Sequence, residues 1–152
     1  MFRTFKAAAL AAALATAGAL PLAAHAQQAE RLYDQGPVWQ ISYVETKPDM
    51  FDDYMAYLST TWRKANELQK KRGDVLDYRV LAVDAPRDQE PDVILMIEFK
   101  NMAAFDRSLD DLDKDNVALF GSTPKANQAA VSRESMRVLR GGMNTREITF
   151  RK

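Results

Sequence analysis

The residues best suited to hold a ligand are an indole and an amide that lie four positions apart, Trp62 and Asn66. In a helix this spacing places them one turn apart on the same side. A phenol from a strand packed beneath the helix, either Tyr43 or Tyr78, would face them and close a pocket for a small aromatic or apolar molecule. The alternative is structural, because an aromatic stripe at helical spacing is usual in a protein core, and Asn66 at its edge is then exposed to water.

Two charges among apolar strand residues, Arg79 and Glu98, form a second candidate. If both side chains point into the same space, they bind a polar group of a ligand or pair with each other. The segments that contain them are predicted to be neighbouring strands, so a cross-strand ion pair is sufficient to explain both. Arg79 nevertheless joins the aromatic and amide residues as a candidate for ligand binding.

Histidine and cysteine are the informative absences. The sequence has no cysteine, and its single histidine, His25, lies in a segment that we expect to be removed. A mature chain without either residue has no Ser-His-Asp or Cys-His catalytic machinery, no thiol redox centre, no ordinary zinc or copper site and no histidine-ligated haem. We therefore predict neither a metal nor a cofactor.

Acidic residues are concentrated between Asp111 and Asn116, a composition that invites comparison with a calcium-binding loop. An EF-hand loop starting at Asp111 needs glycine at its sixth position and glutamate at its twelfth. Those positions hold Asn116 and Ser122. The segment is therefore interpreted as a solvated helix end.

The first 26 residues have the three regions of a cleavable signal peptide. Arg3 and Lys6 supply a positive start, an uncharged run rich in Ala and Leu covers residues 7–22, and residues 24–26 place alanines at the two positions that a signal peptidase recognises. The run is short of the roughly 20 strongly apolar residues of a spanning helix. We expect a periplasmic or secreted protein with no membrane span after processing.

Net charge argues against a nucleic-acid partner. The sequence carries 21 basic and 21 acidic residues, and loss of Arg3 and Lys6 with the leader leaves 19 basic residues and a net charge of −2. No excess of positive charge remains to bind a phosphate backbone. The remaining length, about 126 residues, suffices for one domain that is stable without disulfides.

Hydrophobic periodicity predicts one domain over residues 37–152, preceded by a mobile arm over residues 27–36. Strands alternate apolar and polar residues or are continuously apolar, whereas helices repeat apolar residues every three or four positions. The predicted strands cover residues 38–44, 75–83, 92–99 and 145–150. The predicted helices run from a Thr46 cap to Gly73, from an Asn101 cap to about residue 113, and from Thr123 to Gly141 and Gly142, with residues 115–122 irregular.

The order of these elements is that of an α+β, ferredoxin-like split βαβ fold, a four-stranded antiparallel sheet with helices on one face. The third strand is apolar on both sides, since Ile94 and Met96 alternate with further apolar residues. Helices cover only one side, and the simplest cover for the other is the sheet of a second copy, which predicts a homodimer through the sheets. The inward face of the second strand stays open, because two sets compete: Leu76, Tyr78 and Val80, or Val75, Leu81 and Val83.

Three segments carry a resemblance to a known group of proteins: the long amphipathic helix after the Trp39 strand, residues 97–105, where a strand leads into a capped helix, and the closing Arg146-Glu147-Ile148. In these segments the chain resembles the dimeric α+β barrel superfamily, which contains antibiotic biosynthesis monooxygenase-like, EthD-like and NIPSNAP-like domains, over about residues 37–150. Members include cofactor-independent oxygenases, haem-binding enzymes and proteins of unknown role. Their catalytic residues frequently include a histidine, so its absence here argues against a haem-binding or EthD-type mechanism.

Two functions from different classes follow. The first is an exported dimer that binds a small ligand and has no assigned activity. The second is a cofactor-independent oxygenase or isomerase that holds a small aromatic substrate in the same pocket. An open pocket with Asn66 or Arg79 exposed inside it favours catalysis, whereas an interior filled by Trp62, Tyr43 and Tyr78 favours a structural or interaction role.

Overall fold

The computed structural model describes residues 31–84 and 86–152. The predicted signal peptide, residues 1–26, and the first residues of the predicted arm, 27–30, lie outside the described residues. Within the described ranges, no helix has the length and the apolar content needed to cross a membrane.

Four strands and several helices follow one another along the chain. In chain order they are β1 (Tyr33–Thr46), α1 (Phe51–Tyr57), a π-helical turn (Leu58–Trp62), α2 (Arg63–Arg72), β2 (Val75–Ala82), β3 (Val93–Phe99), a 3₁₀ turn (Met102–Phe105), α3 (Leu109–Phe120), α4 (Thr123–Glu134) and β4 (Arg137–Phe150). The strands form one antiparallel sheet in the order β2-β3-β1-β4. This is the ferredoxin-like, α+β arrangement, and the predicted fold class is confirmed.

The core lies between the sheet and the first helix. Because side chains alternate along a strand, every second residue of β1 and β3 faces the helices. Val44, Val93 and Leu95 from the sheet pack with Tyr54 and Leu58 from the helix, and all five are buried. Met55, Tyr57, Trp62 and Met136 surround this cluster. We refer to this side of the sheet as the helix face and to the other side as the open face.

The open face carries a large apolar surface. Ile41 lies opposite Met96 on one side and Met143 on the other, so the three form a row across β3, β1 and β4. A second row is made by Leu81, Ile94 and Tyr43 across β2, β3 and β1. Leu81 and Met143 are 44% and 49% exposed.

β2 contains an irregularity that explains why its inward face was ambiguous in the sequence. The register shifts between Val75 and Asp77, so one extra residue interrupts the alternation. As a result Val75 and Tyr78 both lie on the helix face, and Arg79 and Leu81 lie on the open face. Each of the two competing sets from the sequence is therefore correct for one part of the strand.

The first strand and the first helix have different bounds from those predicted. β1 begins at Tyr33, so residues 33–36 belong to the sheet rather than to a mobile arm. Thr46 does not cap a helix but ends β1, and its N–H and its hydroxyl both donate to the Asp92 carboxylate. α1 starts only at Phe51 and has no side-chain cap. The predicted end is correct, because Gly73 takes the left-handed conformation (φ 87°) that terminates α2.

The region after β3 is more helical than predicted. Asn101 is a cap as expected, but for a single 3₁₀ turn. A new cap at Ser108 then starts α3, which continues to Phe120, so most of the segment predicted to be irregular is helix. The sequence signal was the serine followed by two aspartates, because acidic residues stabilise the first turn of a helix.

The last strand is longer than predicted. α4 ends at Glu134 and β4 begins at Arg137, so Gly141 and Gly142 lie inside a strand and do not end a helix. Gly142 is opposite Ser42, and a Cβ atom there would lie 2.9 Å from the carbonyl oxygen of Ile41. Glycine is therefore required for β4 to approach β1 this closely.

Candidate ligand-binding site

A cavity lies between the π-helical turn, the centre of the helix face and the junction of α4 with β4. We call it the inner cavity. Its volume is about 130 Å³, and its walls are formed by Gln40, Ser42, Tyr57, Trp62, Leu95, Ile97, Arg133 and Arg137. The inner cavity is thus mostly polar on the sheet and arginine side and aromatic on the helix side.

The floor of the inner cavity comes from the middle of β1. Val38 and Val44, at the two ends of the helix face of β1, are buried apolar residues, whereas Gln40 and Ser42 between them are polar. Gly142, opposite Ser42, contributes no side chain that would fill the space. Gln40 and Ser42 therefore place hydrogen-bonding groups beneath the helix. The sequence analysis did not identify them as site residues.

Two guanidinium groups form the wall at the junction of α4 with β4. Arg133 lies in the last turn of α4, and its Nη1 donates to the Tyr57 hydroxyl at 3.0 Å. Arg137 is the first residue of β4, and its Nη1 donates to the Tyr54 hydroxyl at 3.0 Å. The Nε atoms of both arginines are buried and have no hydrogen-bond partner among residues 31–84 and 86–152.

One carboxylate serves both arginines. Glu134 Oε1 lies 3.2 Å from Arg137 Nη2 and 3.7 Å from Arg133 Nε, and the Glu134 side chain is 55% exposed. Burial alone would lower the pKa of Arg137, but its hydrogen bonds and attraction to Tyr54 and Glu134 outweigh that effect and raise the pKa. Burial raises the pKa of Tyr54, so this phenol is neutral. The two arginines therefore bring an excess of positive charge to the inner cavity.

Trp62 is in contact with Tyr78, one of the two tyrosines that the sequence analysis expected to face it. Their rings meet edge to face, with centroids 5.3 Å apart and an interplanar angle of 89°. The Tyr78 hydroxyl donates to Glu67 Oε1 at 2.6 Å, and this hydrogen bond is the main reason that the pKa of Tyr78 is raised. Tyr78 thus supports the Trp62 wall of the cavity without itself lining it.

Asn66 is buried, so the alternative in which it is exposed to water at the edge of the stripe is wrong. The side chain is 1% exposed, and its Nδ2 donates to the Trp62 carbonyl at 2.9 Å. Its Oδ1 has no hydrogen-bond partner in the part of the chain that the structure describes. A buried acceptor without a partner is unusual in a folded protein.

The π-helical turn explains how Asn66 comes to face inwards. In a regular helix, residues twelve positions apart differ by about 120° in direction, so Tyr54 and Asn66 would not share a face. The wider π turn over Leu58–Trp62 removes part of that drift, and both residues are buried. Hydroxyls of Ser59 and Thr60 donate to the Ala56 carbonyl at 2.9 and 2.8 Å and satisfy a backbone group at the irregular turn.

Tyr43 and Arg79, also predicted at the pocket, lie on the open face of the sheet. Tyr43 pairs with Ile94, whose side chain points away from the helices. The Arg79 guanidinium lies over the Trp39 ring, 5.4 Å from its centroid, and Arg79 Nε is 3.5 Å from Asp77 Oδ2. Arg79 therefore pairs with Asp77 and not with Glu98. The alternation of strand residues places both the Tyr43 and the Arg79 side chain on the open face. Odd-numbered positions of β1 face away from the helices, and Arg79 lies opposite Met96, which is on the same face.

A larger and more open cavity adjoins the inner one, and we call it the outer cavity. It has a volume of about 530 Å³ and shares Gln40 and Ile97 with the inner cavity. Much of its wall is apolar, and the apolar side chains include Phe99, Phe105, Leu112 and Leu119. Arg107 and Asp115 also line it, and Arg107 Nη1 donates to Asp115 Oδ2 at 2.7 Å. The two cavities therefore lie next to each other, with the shared residues Gln40 and Ile97 between them.

Residues with the chemistry of metal ligands do not cluster. Within residues 31–84 and 86–152, no group of three or more His, Cys, Asp and Glu side chains is placed to hold a metal ion. Within the same ranges, the residues that line the inner cavity include no carboxylate.

Comparisons with known proteins bear on the fold alone. No family model and no curated protein matches the sequence. Among solved structures the chain is similar to HapK from Hahella chejuensis, with a TM-score of 0.51 and 11% identity over 72% of this chain and 91% of HapK. It is also similar to protein SO0527 from Shewanella oneidensis, with a TM-score of 0.48 and 11% identity over 76% of this chain and 97% of that one. A third similar structure, a dimeric protein of unknown function and ferredoxin-like fold from Bacteroides fragilis, has a TM-score of 0.39 and 15% identity over 76% and 97% of the two chains.

Proposed function

We propose that this chain is an exported homodimeric protein that binds a small ligand in the inner cavity. The observation that carries the proposal is the cavity itself, because partly buried polar groups from β1, α4 and β4 converge on a space next to an indole. Such a space, lined by an aromatic wall and a few directed polar groups, is the usual form of a small-ligand site. The π-helical turn that turns Asn66 inwards supports it, since π turns are frequent at functional sites.

Binding is favoured over the second candidate, a cofactor-independent oxygenase or isomerase. An isomerase needs a base that removes a proton from its substrate. The described residues that line the inner cavity offer two arginines, which are protonated at neutral pH, and no carboxylate. The same walls therefore suit the fixing of a ligand better than proton transfer.

Export and dimerisation complete the proposal. Export is supported by the charged start, the apolar run and the alanines before Gln27 in the sequence. Its test is the intact mass of the protein recovered from the periplasm of a bacterium that expresses the full chain. A mass that begins at Gln27 is expected, and a retained leader in a correctly folded product would contradict export. Dimerisation is supported by the apolar rows of the open face.

The ligand site is tested by thermal unfolding of the mature protein with hydroquinone, catechol, indole, benzamide and benzoate. A ligand that binds the folded state raises the melting temperature as its concentration increases. We expect at least one of these probes to do so, and we expect Ser42→Leu, which fills the inner cavity, to abolish the increase. Ser132→Leu, at an exposed position of α4, is the matched control and should leave the increase unchanged. Unchanged melting temperatures with all five probes would overturn the proposal.

A further inference from the structure

The geometry points to the chemical class of the ligand, and this inference rests on the proposed function. We propose that the inner cavity binds the carboxylate of a small monocarboxylic acid, with Arg133 and Arg137 as its partners, and that the apolar body of the acid extends past Ile97 into the outer cavity.

Charge balance supports an anion. The two guanidinium groups share one carboxylate, Glu134, which is more than half exposed and is therefore screened by water. The Arg133 and Arg137 side chains are only 31% and 11% exposed. An additional negative charge in the cavity would neutralise the remaining positive charge where water screens it least.

Unused donors support a planar anion in particular. Both arginines use Nη1 to hold a tyrosine hydroxyl, and Arg137 also donates from Nη2 to Glu134, whereas Arg133 Nη2 makes no hydrogen bond to the residues that the structure describes. A carboxylate has two oxygens that accept hydrogen bonds in the plane of a guanidinium, so it matches such donors better than a neutral carbonyl does. On the floor, Gln40 and Ser42 supply further polar groups for the same oxygens.

The shape of the two cavities supports a small acid with an apolar body. The inner cavity, at about 130 Å³, is smaller than the roughly 300–1,000 Å³ of sites for drug-sized molecules. It therefore accommodates a head group and a small ring or chain against Trp62. The outer cavity begins at Ile97 and Gln40, and its apolar wall of Phe99, Phe105, Leu112 and Leu119 suits a longer apolar body.

The experiment compares acids with their neutral amides. Dissociation constants of benzoate and benzamide, and of phenylacetate and phenylacetamide, are measured by calorimetry on the mature protein at constant chloride concentration. Each pair has nearly the same shape, so the difference isolates the charge. We expect each acid to bind at least about tenfold more tightly than its amide, the effect of one charge-assisted hydrogen bond.

Substitutions then identify the partner. Arg133→Gln should weaken benzoate binding about tenfold and change benzamide binding less than about twofold, whereas Arg133→Lys should keep part of the preference because it keeps the charge. Arg63→Gln, at an exposed position of α2, is the matched control and should have no effect. If Arg133→Gln does not fold, the preference for acid over amide in the parent protein decides alone.

The outcomes separate the two proposals. Equal binding of acids and amides that Ser42→Leu abolishes would overturn the carboxylate inference and leave the ligand site in place. Binding that neither Ser42→Leu nor Arg133→Gln affects would place the ligand elsewhere and overturn both.

Discussion

Three polar side-chain atoms are buried without a hydrogen-bond partner among the residues that the structure describes: Asn66 Oδ1, Arg133 Nε and Arg137 Nε. Each costs the protein the hydration that it had in the unfolded chain, on the order of 1–3 kcal/mol. Both arginines line the inner cavity, and Asn66 is bonded to the backbone of Trp62, which lines it too. Such unsatisfied groups destabilise a fold, and here they are concentrated around the inner cavity.

At the residue scale, we predict that Asn66→Asp is strongly destabilising at neutral pH and much less so in acid. The change puts a carboxylate at a site that is 1% exposed, and burial raises its pKa above the ordinary value of about 3.9 in the unfolded chain. Below that value both states are protonated and the loss is small. As the pH rises towards the folded-state pKa, only the unfolded chain ionises, so stability is lost and the loss at pH 7 exceeds about 2 kcal/mol.

Chemical unfolding of variant and parent between pH 3.5 and pH 7 measures this difference. Asn116→Asp, at a partly exposed position of α3, is the control, and its difference from the parent should be small at every pH. An Asn66→Asp variant as stable as the parent at pH 7 would show that the site is accessible to water or to a cation.

At the element scale, the sequence predicted the sheet better than the helices, and the reasons are physical. Alternation in β1 and the continuous apolar run of β3 were read correctly because strand periodicity is short and repeats several times. The long helix was predicted from a regular repeat, which selects Ala65 as the next inward residue. The π-helical turn, which no apolar pattern indicates, selects Asn66 instead.

The candidate site was only partly predictable for the same reason. Trp62 was identified because it belongs to the helical stripe, and Tyr78 because it is an aromatic residue of a neighbouring strand. Arg133 belongs to the end of α4 and Arg137 to the start of β4. They can be recognised as a pair only when the positions of both elements are known. The predicted helix through Gly141 and Gly142 concealed that junction.

Also at the element scale, we predict that Asp115→Asn loosens the attachment of α3 to the rest of the fold. Asp115 accepts hydrogen bonds from Arg72 Nη1, at the end of α2, and from Arg107 Nη1, before α3, each at 2.7 Å. Burial raises the pKa of Asp115, but these hydrogen bonds outweigh it, and the pKa lies below its ordinary value. The variant should lose about 1–2 kcal/mol of unfolding free energy near pH 7.

The pH dependence of that loss follows from the lowered pKa. The contribution of Asp115 is complete above the unfolded-state pKa, about 3.9, and disappears as the pH falls through the lower folded-state pKa. The difference between parent and variant, measured by denaturant unfolding, should therefore shrink below about pH 4. Asp113→Asn, at an exposed position of the same helix whose partner is the Thr123 hydroxyl, should show little difference throughout. A constant loss across the pH range would contradict the role of the charge.

At the scale of the whole molecule, the two faces of the sheet differ in the side chains that they carry. The helix face combines an apolar core around Tyr54 and Leu58 with the polar inner cavity. The open face has an apolar centre, with Ile41 between Met96 and Met143, and charged groups such as Arg79 and Asp77 beside it. An apolar centre with a rim of both signs is self-complementary under a twofold axis, because each charge can meet its opposite on the other copy.

We therefore predict that Met96→Lys converts the protein, expressed without its predicted signal peptide, from a dimer to a monomer. In the dimer, the lysines of the two copies would bring two positive charges together in an apolar interface. Removing these charges from water is costly. Sedimentation velocity at micromolar concentration should give a dimer for the parent and a single subunit for the variant.

Met143→Lys, at a residue 49% exposed in the subunit, should weaken the dimer without unfolding the chain, and so it separates loss of association from loss of folding. Val131→Lys, at a residue 67% exposed on α4, should remain dimeric. A parent protein that sediments as one folded subunit would leave the open face without its second copy and would refute the dimer.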